Sequence, residues 1–312
     1  MILLTGGTGF IGRVLTRQLV ESGHRVRLLL RPSLRTPRLP TSVPVEVAVT
    51  GLDDVQGLRA AMRGVDTIYH LAGGEGGGGR ANLQVVDIDG TRALCQAATD
   101  ARVRHLLYLS HLGAGRAAGF PVLKAKGIAE EYIRKSGVAH TILRGALLFG
   151  PGDEFTTGLA MLLAAAPGFL PLPSRGETLL QPLWVEDLVT CLLWSLDNSD
   201  TVNQTFDLGG SETFSLRQLI EIIMEATNIH RRLVNWPTQS MRSMTIVMES
   251  IFPRFPASIF WLDYLAVNRT CPVDTITRVF GLMPSRFASR LDYLRNEPWS
   301  QNLLRRLFTR YD

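Results

Sequence analysis

Apolar and polar positions show two periodicities along the first half of the chain. Short apolar runs of strand length alternate with segments whose apolar residues recur at helical spacing. The runs predict strands at residues 2–4, 26–30, 43–49, 66–73, 103–110, 139–143 and 146–149, and the helical segments are 11–21, 53–62, 82–100 and 126–136. This alternation predicts an α/β fold, a doubly wound parallel sheet (Rossmann type) with helices on both faces.

The second half has a weaker pattern. Helices are predicted at residues 159–166 and 188–196, a strand at 205–208, and a helix that begins at the capping box Ser215–Gln218. From about residue 232 the chain is rich in Met, Phe, Trp and Pro. We therefore expect a sheet domain over residues 1–155, to which 180–210 return, and a smaller, mostly helical C-terminal domain over 156–312.

The length of 312 residues and a hydrophobic content of 46% fit a globular protein with a large core. The longest apolar stretches, 159–172 and 243–267, are interrupted by Pro, Gly or charge, so no membrane-spanning segment is predicted. The apolar start predicts a core strand rather than a signal peptide. Cys95, Cys191 and Cys271 are far apart and odd in number, which predicts reduced packing residues in a cytoplasmic protein.

The net charge of +5 is concentrated at one end. Residues 231–312 hold 12 Arg, no Lys and six acidic residues, a net +6, whereas the remainder is at −1. The excess indicates either a solvated surface or docking to anionic lipid or an acidic partner, and no nucleic-acid motif accompanies it. The final segment predicts either a core helix or a basic amphipathic surface for a membrane protein or bilayer, from Leu303, Leu304, Arg305, Arg306, Leu307, Phe308 and Arg310.

The first strand leads into a glycine-rich stretch, Thr5-Gly6-Gly7-Thr8-Gly9-Phe10-Ile11-Gly12. Strand, glycine turn and helix together are typical of a dinucleotide pyrophosphate site, because the glycines allow close approach and the helix N-terminus presents free N–H groups. A plain structural turn is the alternative. We predict that Gly6, Thr8, Gly9, Phe10, Ile11 and Gly12 bind the cofactor.

Two arginines follow the second strand where a carboxylate usually binds the free ribose of NAD(H). Arg31 and Arg35 can instead bind a 2′-phosphate, so NADP(H) is favoured over NAD(H). Arginines in an exposed turn also serve solubility alone.

Over residues 1–225 the chain resembles the extended short-chain dehydrogenase/reductase superfamily. Within it, the chain is most similar to the atypical branch with the NADPH-binding accessory subunit of respiratory complex I and photosystem assembly factors. Besides the glycine stretch, the resemblance depends on residues 70–73 (His-Leu-Ala-Gly), 89–91 (Asp-Gly-Thr), 107–110 (Leu-Tyr-Leu-Ser), 141–144, 149–153 and 185–187. It implies that Leu71 and Ala72 contact the cofactor, that Lys126 binds the nicotinamide ribose, and that Ser110 and Lys126 are the remnants of the catalytic set.

Active members of that superfamily use a Tyr-x-x-x-Lys pair and a Ser, because the ammonium lowers the pKa of the phenol that moves the proton. Four residues before Lys126 stands Val122, and the working Ser position is Leu112. Asp87 replaces the family's Asn, and Gly51 replaces an Asp that contacts adenine, for which Asp53 is a substitute. The proton relay is therefore predicted to be missing.

The sequence supports two main functions. The first is a non-catalytic, NADP(H)-binding structural or assembly subunit of a membrane redox complex. The second is an NADP-dependent reductase or epimerase-type enzyme whose proton donor is water, Ser110 or Tyr264; a redox-sensing regulator is a third possibility. The scattered histidines lack zinc-ligand spacing, so no metal site is predicted, and His70 is interpreted as a packing residue.

Overall fold

A computed structural model of the protein describes residues 1–33, 43–75 and 82–308. The strands are β1 (Ile2–Thr5), β2 (Val26–Leu30), β3 (Glu46–Val49), β4 (Thr67–His70), β5 (His105–His111), β6 (Ala139–Gly145), β7 (Leu148–Phe149), β8 (Phe169–Leu172), β9 (Leu179–Leu180), β10 (Leu183–Trp184), β11 (Gln204–Leu208), β12 (Phe214–Ser215) and β13 (Arg232–Asn235). The α-helices are α1 (Phe10–Glu21), α2 (Val55–Ala61), α3 (Gly90–Asp100), α4 (Pro121–Lys135), α5 (Phe155–Ala165), α6 (Val185–Trp194), α7 (Leu216–Thr227), α8 (Thr238–Ile251), α9 (Ile259–Tyr264), α10 (Thr275–Phe280) and α11 (Trp299–Phe308).

Seven parallel strands form the central sheet in the order β11-β6-β5-β4-β1-β2-β3. The strand order reverses at β1, which pairs with β2 on one side and β4 on the other. Thr5, at the end of β1, lies in register with Leu29 and His70. Ligands of open α/β sheets bind at this kind of switch point, beyond the carboxyl ends of the strands. The predicted doubly wound parallel sheet is confirmed.

Two apolar cores cover the faces of the sheet. Helices α2, α3 and α4 contribute Leu58, Leu94 and Ile133 to one core. Helices α1 and α6 contribute Leu15 and Leu188 to the other. Each helix buries a single apolar face against the strands, as the helical spacing predicted.

A third core lies among the later elements. It is built by α5, α7, α9 and α11, with Leu163, Leu219, Tyr264 and Trp299 among its buried members. The capping box of α7 is formed as predicted, with Ser215 accepting from Gln218 N–H and the Gln218 side chain accepting from Ser215 N–H. In the described ranges, no helix has both the length and the apolar character needed to cross a bilayer.

Several element boundaries differ from the predictions. Helix α4 begins at Pro121 rather than Lys126, since proline is well suited to the first helical position, where its missing N–H has no partner to lose. The predicted helix over 82–100 begins with a π-helical segment, Gln84–Asp89. Strand β3 starts at Glu46 instead of Val43. The early start of α4 matters most, because it places Val122 in the first turn of that helix.

Candidate functional site

The glycine stretch forms a tight turn between β1 and α1. Gly6 has a positive φ of 73°, and a Cβ there would lie 2.8 Å from the carbonyl oxygen of Leu71. A Cβ on Gly12 would lie 2.1 Å from the carbonyl oxygen of Gly6. Both positions therefore require glycine, because any larger residue would collide with main chain.

The N-terminus of α1 is open to a ligand. Gly9 is its exposed N-cap, and the first helical hydrogen bond runs from Arg13 N–H to Gly9 O at 3.0 Å. The N–H groups of Phe10, Ile11 and Gly12 precede that bond and have no acceptor within the helix. No acidic side chain lies in this first turn, so the partial positive charge of the helix end is not offset there. Thr8, half-buried, completes the turn.

The end of β4 forms the opposite wall of this turn. Ala72 N–H donates to Thr5 Oγ1 at 3.2 Å, which fixes Leu71 and Ala72 beside Gly6. His70 is fully buried between the hydroxyls of Thr5 and Thr91, at 2.7 and 2.9 Å. Burial is the main cause that lowers the pKa of His70 to about 3, and the positive charge of Lys126 lowers it further. His70 is a neutral packing residue, in agreement with the interpretation from the sequence.

The residues predicted to select the cofactor lie beyond the ends of β2 and β3. Arg31 directly follows β2 and is exposed, on the same sheet edge as Gly6. Arg35 lies outside the described residues. A Cβ on Gly51 would lie 2.1 Å from Asp53 Oδ1. The carboxylate of Asp53 thus occupies the space of a side chain at position 51, where the family carries its adenine-binding aspartate.

Lys126 lies buried in α4, with only 3% of its side chain exposed. Its Nζ is 3.1 Å from Asp87 Oδ1 and 3.6 Å from Glu75 Oε2. Burial alone would lower the pKa of Lys126, but Glu75, Tyr108 and Asp87 outweigh burial and raise it well above its ordinary value. Lys126 is therefore a fixed ammonium that two carboxylates neutralise.

Glu75 connects this ion pair to His111. Its Oε1 lies 3.4 Å from His111 Nε2, and its side chain is 28% exposed. Burial would raise the pKa of Glu75, but Lys126 and then His111 outweigh it and hold that pKa well below the ordinary value. One feature of the sequence could have indicated Glu75, since it is an acidic residue inside a glycine-rich stretch, but we did not predict its contact with Lys126.

The other positions predicted for the family's catalytic set have apolar side chains or a buried hydroxyl. Ser110 is in β5, only 2% exposed, and its Oγ is shielded from solvent. Val122 and Leu112 are the residues that the family spacing predicts at the positions of the Tyr and the working Ser. Tyr108 lies beside Lys126, with Nζ 5.5 Å from the ring centroid, but it is fully buried and burial raises the pKa of its phenol.

A cavity of about 210 Å³ opens beside Val122. Phe120 and Val122 from the start of α4 form one wall, and α9 supplies Phe260 and Tyr264 on the other. Glu75 lies at its edge, so the cavity adjoins the Lys126 ion pair. Tyr264, suggested by the sequence as a substitute proton donor, is thus brought to this region, whereas Ser110 remains inside the sheet.

Two curated relatives show the range of proteins that this chain resembles. It is 27% identical to the mitochondrial NADH dehydrogenase [ubiquinone] 1 alpha subcomplex subunit 9 of Arabidopsis thaliana, over 83% of this chain and 67% of that protein. It is 33% identical to a ceramide reductase of Caulobacter vibrioides, over 56% of this chain and 54% of that protein. The match thus spans roughly half to two thirds of the length of these relatives.

An assembly factor and a solved structure extend the comparison. Photosystem II assembly factor Ycf39 of Trieres chinensis is 25% identical over 71% of this chain and 67% of its own length. The structure of a short-chain dehydrogenase/reductase superfamily protein from Agrobacterium tumefaciens with bound NAD superposes with a TM-score of 0.69. That pair is 20% identical and covers 94% of each chain, so the likeness shows the fold.

A family profile covers the part of the chain that contains the glycine turn after β1 and the cluster of Glu75, Asp87 and Lys126, which we call the Lys126 cluster. It is described as NAD(P)H-binding and matches residues 6–162, just over half of the chain. The match begins at Gly6, the first glycine of the turn, and runs through β5, α4 and β6 into α5. This chain therefore belongs to the NAD(P)H-binding family.

Proposed function

We propose that the chain holds NADP(H) as a structural cofactor and acts as a non-catalytic structural or assembly subunit of a membrane redox complex. The observation that supports this is the ion pairing of Lys126, whose charge is neutralised by Asp87 and Glu75. Val122 occupies the position four residues earlier, where the Tyr of the Tyr-x-x-x-Lys pair is expected. A proton relay is missing, and losing a general acid costs roughly 10²–10⁴ in rate. A ligand bound only by the native state stabilises the fold instead.

Native mass spectrometry of the purified protein tests this proposal. We expect one dinucleotide per chain to co-purify, with NADP(H) in excess over NAD(H). The loaded protein should transfer no hydride to a panel of aldehydes and ketones in a single-turnover assay at 340 nm. Sustained turnover that Lys126→Ala abolishes would retire the non-catalytic role.

The preference for NADP(H) depends on Arg31. We expect Arg31→Asp to weaken NADPH binding by about 10- to 100-fold, because a charge-assisted hydrogen bond is replaced by repulsion of the 2′-phosphate. NADH, which lacks that phosphate, should bind within about threefold of the wild-type affinity. Fluorescence titration of both cofactors measures the ratio, with Arg63→Asp, an exposed site after α2, as the control. Unchanged discrimination would mean that Arg31 does not contact the phosphate.

The later helices supply a surface suited to a bilayer, and we propose that the protein is peripheral to a membrane on its cytoplasmic side. Met244, Val247 and Ile251 recur along one side of α8 and are 47%, 51% and 59% exposed. Of the charged residues of α8, Arg242 pairs with Asp263 and keeps 43% of its side chain exposed, and Glu249 accepts a hydrogen bond from Ile259 N–H. The most exposed residues of α8 carry no charge, and the majority of them are apolar or serine.

Helix α11 extends this surface, which we call the α8–α11 face. Phe308 is 67% exposed, and its ring centroid lies 5.8 Å from that of Phe252 at the end of α8. Arg305 is exposed on the same helix, and Arg306 donates to Arg254 O at 2.8 Å. Trp299 and Leu303 are buried, so one side of α11 packs in the core and the other adds apolar and basic groups to the face. Exposed apolar side chains flanked by arginines suit an anionic bilayer.

Vesicle flotation tests the α8–α11 face. We expect the protein to float with vesicles that contain phosphatidylglycerol and to bind less to pure phosphatidylcholine. The double variant Met244→Ser with Val247→Ser should reduce the partition coefficient about tenfold or more. The reason is that burying one such apolar side chain in the bilayer contributes roughly 1–2 kcal/mol to the free energy of binding. The matched control is Val273→Ser with Met283→Ser, 53% and 76% exposed elsewhere. Equal flotation of both double variants would exclude the face.

A second candidate, an NADP-dependent reductase, is favoured by Tyr264. Its hydroxyl is buried, has no hydrogen-bond partner in the described part of the chain, and lines the cavity next to Glu75. The similarity to a ceramide reductase supports the same candidate. If the protein turns over, Tyr264→Phe should abolish hydride transfer and leave NADPH binding intact. Turnover that survives this change would exclude Tyr264 as the proton donor.

We also propose the division into a dinucleotide-binding unit over 1–155 with 180–210, and a smaller unit over 156–312. Its support is that β11 joins the large sheet beside β6, whereas α5, α7, α9 and α11 share a core of their own.

A further inference from the structure

Arg269 is a buried cation without a carboxylate partner among the described residues. The residue is 3% exposed, and no acidic oxygen of the described chain lies within 4.0 Å of its guanidinium. Two of its N–H groups donate to main-chain carbonyls, Leu112 O at 3.1 Å and Tyr264 O at 3.3 Å. Burial lowers the pKa of Arg269 below its ordinary value. A charge buried in this way is costly unless an anion accompanies it.

Arg269 and Tyr264 meet at one end of the 210 Å³ cavity. The guanidinium carbon lies 4.9 Å from the centre of the Tyr264 ring. Tyr264 is 5% exposed, and its hydroxyl lacks a hydrogen-bond partner among the described residues. Burial raises the pKa of Tyr264, so the phenol keeps its proton and can donate it in a hydrogen bond. A guanidinium without a carboxylate and a hydroxyl without an acceptor thus lie at one cavity in the described part of the chain.

The acidic groups of the cavity are already paired with other cations. Glu75 lies beside Lys126 and His111. Asp263 is bound by Arg242. Within the described ranges, the charge that lacks an oppositely charged partner at this cavity is therefore that of Arg269. The two carboxylates would still repel a dianion such as phosphate more strongly than a singly charged ligand.

The rest of the lining is apolar. Phe120, Val122 and Leu123 come from the start of α4, and Ile259 and Phe260 come from α9. Typical drug-sized ligands occupy pockets of about 300–1,000 Å³. At about 210 Å³, this cavity suits a smaller molecule with one apolar body.

We propose that this cavity binds a small monocarboxylate with an aliphatic or aromatic body. The carboxylate accepts hydrogen bonds from the Arg269 guanidinium and the Tyr264 hydroxyl, and the body packs between Phe120, Val122 and Phe260. The pairing gives the Arg269 charge an anion and the Tyr264 hydroxyl an acceptor, and a carboxylate matches guanidinium geometry. The site goes beyond the proposed function, since it requires neither hydride transfer nor a membrane.

Calorimetric titration of the full chain with phenylacetate and with hexanoate tests the site. We expect saturable 1:1 binding of both carboxylates. Phenylacetamide and inorganic phosphate should each bind at least about tenfold more weakly, because the amide is uncharged and phosphate carries more negative charge than a carboxylate. Tyr264→Phe retains the ring and removes only the unpartnered hydroxyl, so it should fold and bind phenylacetate about tenfold more weakly. Val122→Trp should block binding by filling the cavity.

Further variants guard against a folding defect. Arg269→Gln should abolish binding, and if it fails to fold, Tyr264→Phe and Val122→Trp carry the test. The control is Arg278→Gln, whose side chain is 68% exposed on α10 and should bind as the wild type does. No saturable binding of either carboxylate at millimolar concentration, or equal affinity of the wild type, Tyr264→Phe and Val122→Trp, would overturn the proposal. Equal binding of the amide would also overturn it.

Discussion

Replacing Lys126 with methionine is expected to lower the free energy of unfolding by about 3–5 kcal/mol, because the change leaves a buried carboxylate without its cation. The side chain of Asp87 is fully buried and lies 3.1 Å from Lys126 Nζ. Glu75 loses the same partner. Urea denaturation followed by circular dichroism measures the loss.

Two comparisons separate the ion pair from general effects of removing a lysine. Lys135→Met, on the same helix but 76% exposed, should change stability by less than about 0.5 kcal/mol. Adding Asp87→Asn to Lys126→Met should recover most of the lost stability, since it removes the unpaired negative charge of the buried Asp87 carboxylate. If the double variant is no more stable than Lys126→Met alone, Asp87 is not the partner that matters.

The pH dependence of stability should change sign in Lys126→Met. In the wild type burial would raise the pKa of Glu75, but Lys126 and His111 hold it below the ordinary 4.5. That stabilisation is present above the ordinary pKa and is lost as pH falls through the folded one. Without Lys126, burial raises the pKa, so the variant should be less stable at about pH 8 than at about pH 5.

The second large effect is expected for Gly12→Ala. Its Cβ would lie 2.1 Å from Gly6 O and 2.7 Å from Gly7 Cα, so the phosphate turn has to move. Overpacking of this kind costs about 1–3 kcal/mol, and displaced N–H groups should weaken dinucleotide binding about a hundredfold or more. Thermal unfolding with and without NADPH measures both quantities. Gly119→Ala, where a Cβ meets nothing within 4 Å, is the control. Retention of NADPH affinity in Gly12→Ala would show that the cofactor does not use this turn.

The glycine turn between β1 and α1 was predictable because all of its requirements are local. Gly6 and Gly12 are neighbours in sequence, and the strand, turn and helix around them are built from one continuous segment. The same holds for the α7 capping box, which depends on two side chains three residues apart. The ends of helices were predicted less accurately where a single residue decides them, as Pro121 does at the start of α4.

The Lys126 cluster was only half predictable. Family spacing predicted Lys126 as the family lysine and the loss of the phenol at Val122. Glu75 lies 51 residues before Lys126 in the sequence, and only the pairing of β4 with β5 and the packing of α4 bring the two together. Tyr264 and Arg269 come from the segment with the weakest periodicity, so no pattern indicated that they line a cavity with Val122.

By itself, the sequence determined the parallel α/β sheet, the glycine turn at the first strand end and the basic C-terminal segment, and it predicted the loss of the Tyr-x-x-x-Lys pair. These follow from short-range periodicity, glycine geometry and residue identity. Only the tertiary structure decided that Lys126 is neutralised by Asp87 and Glu75, that Met244, Val247 and Ile251 of α8 are exposed together, and that Arg269 has no carboxylate partner among the described residues. The physical reason is that desolvation and charge pairing depend on which distant residues meet, and a linear pattern does not contain those distances.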